Sequence, residues 1–107
     1  MGDGHVQVQT AAASREEADA IADAVLVARV AACVQVVGPV HSRYWWQGAL
    51  ESAEEWLCVV KTTAERAGDA MAVIAGVHSY DNPEIIALPI VAGAGPYLAW
   101  LDTEVAR

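Results

Sequence analysis

The run Tyr44-Trp45-Trp46-Gln47-Gly48, with Trp56 shortly after it, puts three of the chain's four tryptophans into one short, β-prone segment. An indole ring buries a large area yet keeps an N–H that needs a partner, so such a cluster marks an interface or a ligand cleft, or else the core of a hairpin. Other residues able to do chemistry are sparse. Cys33 and Cys58 are the only cysteines, 25 positions apart and without CxxC spacing, which signals neither a disulfide framework nor a zinc knuckle and leaves both as reduced thiols. Lys61 is the only lysine. There is no glycine-rich phosphate loop and no HExxH, so catalysis is not expected.

At 107 residues the chain is expected to form one domain, residues 1–107. It is 55% hydrophobic with a mean hydropathy of +0.29. That is more apolar surface than so short a chain can hide alone, and it points to oligomerisation. No apolar run is long enough to span a bilayer, and the start lacks the basic and apolar segments of a signal peptide, so a cytoplasmic protein is expected. Fourteen acidic residues against six basic ones give a net charge of -8. Nucleic acid and anionic membranes are poor partners for such a surface; cations are favoured ones.

The elements that would position these residues follow from periodicity. His5 to Thr10 alternates as a strand, and Ser14-Arg15-Glu16-Glu17 has the form of a capping box. A helix should follow to about Val30, with Ala18, Ile21, Val25 and Ala28 as its buried stripe. Residues 32–46 read as one long strand interrupted at Gly38-Pro39, turning at Gly48 and returning from Ala49 to Thr62 as a long hairpin. Arg66 to Val77 is a second helix, Glu84 to Ile90 a strand bounded by prolines, and Pro96 opens a short last helix. Strand, helix, strand, strand, helix, strand is the split βαβ order. The expected fold is therefore α+β, a ferredoxin-like sandwich of a four-stranded antiparallel sheet under two helices. Its hairpin is longer than the sandwich needs, and should project and dock on another subunit. Acylphosphatases share this topology, but Thr10-Ala11-Ala12-Ala13-Ser14 offers no anion-cradling loop with an arginine.

Several ordered motifs resemble the CutA family of divalent cation tolerance proteins across nearly the whole chain. They are Ala31-Ala32-Cys33-Val34, Ser42 with Tyr44 to Gly48, Lys61-Thr62, His78 with Tyr80, Pro83-Glu84-Ile85-Ile86, and Tyr97 with Trp100. There are departures: Gln35 where the family usually has Asn, Gly38-Pro39 for Pro-Gly, Ser79 for the proline of His-Pro-Tyr, and Asp81-Asn82 for a Glu-Val type pair. The resemblance implies a homotrimer assembled through long hairpins, with a PII-like architecture.

It also implies two candidate sites. Cys33 and His78 match the positions most often proposed to bind copper, and a thiolate with an imidazole suits copper or another divalent metal. A small buried hydrophobe explains Cys33, and a helix C-cap explains His78, without any metal. Trp45, Lys61, Tyr80 and Glu84 also match family motifs, and could line a cleft between subunits. The plainer alternative pairs Lys61 with Glu84 or leaves it solvated. The resemblance thus implies a trimeric binder of divalent metal, copper first, in the response to metal ions, with a small-molecule sensor or adaptor as the alternative.

Overall fold

The computed structural model describes residues 4–105. Strand β1 is His5–Ala12, helix α1 Arg15–Val27, β2 Cys33–Trp46 and β3 Ala49–Thr63; a 3₁₀ turn at Ala64–Arg66 leads into α2, Ala67–Val77, followed by β4, Ile85–Ile90, and α3, Gly95–Glu104. All neighbouring strands are antiparallel, in the order β2-β3-β1-β4. This is the expected split βαβ sheet.

Helix α1 starts where the capping box places it, with the Glu17 N–H donating to Ser14 Oγ at 3.1 Å. It ends three residues before Val30 because Arg29 adopts a left-handed backbone, φ 61°. The Arg29 N–H bonds Leu26 O and the Val30 N–H bonds Val25 O, the Schellman pattern that closes a helix C-terminus. A non-glycine residue holds that position here.

The core lies between the sheet and α1 and α2. Val8, Ala12, Cys58 and Val60 point from the sheet into Ala18, Ile21, Val25, Ala70 and Ile74. Cys58 is fully buried and its thiol donates to Ala18 O. Burial pushes that thiol up to about 11, so it stays protonated and inert.

The sheet's second face is formed by the alternate residues of each strand, because successive side chains point to opposite sides. It carries Gln7 and Gln9 of β1, Leu57, Val59 and Lys61 of β3, Cys33 and Gln35 of β2, and Ile86 and Leu88 of β4. Helix α3 reaches one end of this face. There Leu101 is buried and Asp102 bonds His5 at 2.8 Å.

In the β2–β3 hairpin the register shifts between Val37 and Val40. The bulge at Gly38-Pro39 changes which residues face which way. Before it Cys33, Gln35 and Val37 look to the second face; beyond it the even-numbered Val40, Ser42, Tyr44 and Trp46 do, opposite Glu55, Ala53, Glu51 and Ala49. Gln47 and Gly48 turn the chain with φ of 50° and 82°, the positive pair that a tight two-residue hairpin loop requires.

Candidate functional site

The far end of the second face, away from α3, is a cleft. It has a volume of about 650 Å³, and Ala11, Tyr44, Trp46, Glu55, Tyr80 and Glu84 are among the residues lining it. The floor is Glu55, only 8% exposed, and the Tyr80 hydroxyl donates to its Oε2 at 2.9 Å. Burial, and then this bond to a carboxylate, push the Tyr80 phenol up to about 12. It is a fixed donor at any physiological pH.

Tyr80 is held in place by the loop that follows α2. The His78 side chain is buried, with Nε2 2.9 Å from Ala11 O and the Tyr80 N–H donating to Nδ1 at 3.1 Å. A carbonyl only accepts, so the ring proton lies on Nε2 and both nitrogens are engaged. The loop is clamped to the start of α1 by Glu17, which accepts from the Ser79 N–H at 2.7 Å, from the Ser79 hydroxyl at 3.0 Å and from the Ala13 N–H at 3.3 Å.

Burial pushes the Glu17 carboxyl up, but the bonds from Ser79 and Ala13 outweigh it and leave it below the ordinary 4.5. A carboxyl held low in the fold contributes stability that is present above its unfolded value and lost as pH falls through the lower folded one. Melting curves recorded downward from pH 4.5 should therefore lose Tm more steeply in the parent protein than in Glu17→Gln. Parallel curves would show that Glu17 holds nothing.

Of the residues singled out from sequence, Tyr80 and Glu84 reach the cleft, and Glu84 accepts from Gln9 Nε2 at 3.1 Å. Within the single chain Trp45 and Lys61 do not. The bulge turns Trp45 to the other side of the hairpin, where it is 73% exposed. Lys61 stands opposite Gln7 and Cys33 and donates to Gln35 Oε1 at 2.7 Å, roughly 13 Å along the strand direction from Ala11. Its ion pair with Glu84 is absent among the described residues. The same separation parts Cys33 from His78 within one chain, since Cys33 faces Lys61 while His78 bonds Ala11. Among the described residues, no three His, Cys, Asp or Glu side chains converge to hold a metal ion. Two contributors were missed. Glu55 sits in an acidic stretch that looks solvated, and Trp46 looks equivalent to Trp45 until the bulge is placed.

Residues 6–104 match the family model described as CutA1 divalent ion tolerance protein. The chain belongs to this family. It is 38% identical over 101 residues to the divalent-cation tolerance protein CutA of Archaeoglobus fulgidus, covering 94% of this chain and 98% of that one. Its CutA counterpart from Thermus thermophilus is 42% identical over 88 residues, 82% and 85% of the two chains. The chain spans 50% of the chloroplastic CutA of Arabidopsis thaliana. Among solved structures, CutA from Xylella fastidiosa superposes with a TM-score of 0.93 at 29% identity, covering 96% of this chain and 99% of that one. The Archaeoglobus fulgidus protein, described as a periplasmic divalent cation tolerance protein, gives 0.91 at 38% identity, covering 94% and 98%.

Proposed function

We propose that this CutA-family chain works as a homotrimer in the response to divalent metal ions, and that it receives a small ligand in the cleft under the hairpin. The observation that carries this reading is the nearly buried Glu55, held by Tyr80 at the floor of a cleft of about 650 Å³ whose walls run out along the hairpin to Tyr44 and Trp46. Such a mixture of aromatic walls and a few fixed polar groups is what small-molecule sites are made of. Trimerisation is supported by the strip of Leu57, Val59, Ile86 and Leu88 between α3 and the cleft, and by a hairpin that exposes Trp45, Trp46 and Leu50. No catalytic step is proposed.

A second reading has the protein bind the metal itself, copper first, as the order of divalent affinities favours. It is supported by the net charge of -8 and by the partly exposed free thiol of Cys33. His78 would join only by giving up a hydrogen bond, and further donors would have to come from a neighbouring subunit.

Tryptophan fluorescence against a library of small molecules, beside copper calorimetry, separates the two readings. A saturable change lost in Trp46→Leu at unchanged mass supports the cleft. Copper heat lost in Cys33→Ser, with no small molecule bound, supports the metal site and ends the cleft reading. No helix of the described residues is long and apolar enough to cross a membrane. A cytoplasmic setting, which suits two free thiols, is likewise proposed; a disulfide-forming compartment would be shown by fractionation.

A further inference from the structure

We infer that the ligand of the cleft is a protonated organic amine, its ammonium meeting Glu55 and its alkyl body lying along the cleft against Tyr80 and Tyr44; the inference rests on the cleft being the ligand site. Charge is the first argument. Glu55 is 8% exposed, and an ionised carboxylate taken from water needs a compensating partner. Among the described residues its side chain's one hydrogen bond comes from Tyr80, a neutral donor. None of the ion pairs among the described residues involves Glu55. Arg43 reaches the rim of the cleft, but the register puts it opposite Ser52 on the other side of the hairpin. Within the single chain, a cation is the missing partner.

The cleft's other properties choose among cations. Asp81 and Glu84 also line it, so an anion would meet three carboxylates and a neutral molecule would leave Glu55 uncompensated. A bare metal ion would need converging donors, and among the described residues no group of three supplies them. About 650 Å³ is also far more room than an ion needs. Aromatic faces beside a carboxylate are the setting in which an alkylammonium gains both an ion pair and a cation–π contact. Because Tyr80 donates to Oε2, it fixes the rotamer of Glu55 without neutralising it, leaving the carboxylate preorganised for the ammonium.

The test is calorimetry on the intact protein with n-butylammonium, its anionic and neutral mimics butyrate and butanol, and Mg²⁺ or Cu²⁺ alone. Only n-butylammonium should give a saturable isotherm. Glu55→Gln keeps the acceptor for Tyr80 but removes the charge, and should weaken binding on the order of thirtyfold. Tyr44→Leu should weaken it about fivefold or more through loss of the cation–π contact, and serves as the deciding variant if Glu55→Gln fails to fold. Unaltered amine binding in these variants would overturn the inference. So would butanol or butyrate binding as well as the amine, an outcome that keeps the cleft as a ligand site. A metal ion that binds alone and loses its isotherm in Glu55→Gln also overturns it, in favour of metal. If none of the probes binds, the inference and the cleft reading fall together.

Discussion

Replacing Ile86 and Leu88 together by glutamate should turn the proposed trimer, about three times 11.3 kDa, into a folded monomer. In the single chain these side chains are 44% and 42% exposed. They stand beside Gln9 and Gln7, on the face opposite the one that α1 and α2 cover. The core of the chain is complete without them, since Val8, Val60, Ile21 and Ile74 are fully buried on the helix side. Glutamates on the uncovered strip would therefore leave the fold intact and make it more soluble. In an assembly closed through that strip the same change buries like charges from every subunit. Each such ion costs several kcal/mol of desolvation with nothing to offset it. Light scattering should show the mass fall to one chain while far-UV circular dichroism stays unchanged. An unaltered mass would move the interface away from the strip, and the exposed Trp45 at the hairpin tip would be the next place to look.

That strip illustrates how much of this molecule was legible in its sequence. The element order, the capping box at Ser14 and the long hairpin all follow from periodicity and turn chemistry, and each is found where those signals put it. The end of α1 was not legible, because the left-handed closing residue is Arg29 where a glycine would have announced it. The cleft of the single chain was legible only in part. Tyr80 and Glu84 carry polar groups in a turn-rich segment that has to pass the end of the sheet, and both line the cleft. Trp45 and Trp46 are indistinguishable by composition, and only side-chain parity tells them apart. In a strand a single register step moves every residue to the opposite face. Gly38-Pro39 signals an interruption, but not how many residues the interruption adds. Glu55 was hidden for the same reason, since a carboxylate beside Glu54 reads as solvated until the register turns it inward. Lys61 lies too far along β3 to meet either residue.

Because the bulge sets that parity, Gly38→Ala should damage the cleft more than any substitution of the same size in the hairpin. A Cβ at residue 38 would stand 2.6 Å from Trp56 Cδ1 and 2.9 Å from Cγ, with Glu55 O at 3.1 Å. Neither neighbour yields easily: Trp56 packs against the core cluster, and the carbonyl is that of Glu55, the residue that carries the cleft's carboxylate. Forcing a methyl group into such a contact costs roughly 1 to 3 kcal/mol. Two responses are open to the chain. If the Trp56 ring gives way, Tm falls and the near-UV signal of the tryptophans changes while Tyr44 and Trp46 keep facing the cleft. If the bulge is lost instead and the register slips by one residue, parity reverses, Trp45 replaces Trp46 on the cleft side of the hairpin, and ligand-dependent quenching disappears even at temperatures where the fold is intact. We expect loss of Tm together with loss of quenching, because the same strand segment carries both Trp56 and Glu55. A Gly38→Ala protein with unchanged Tm and unchanged fluorescence would mean that the bulge does not hold the hairpin's faces in place, and the assignment of Trp46 to the cleft would lose its structural basis.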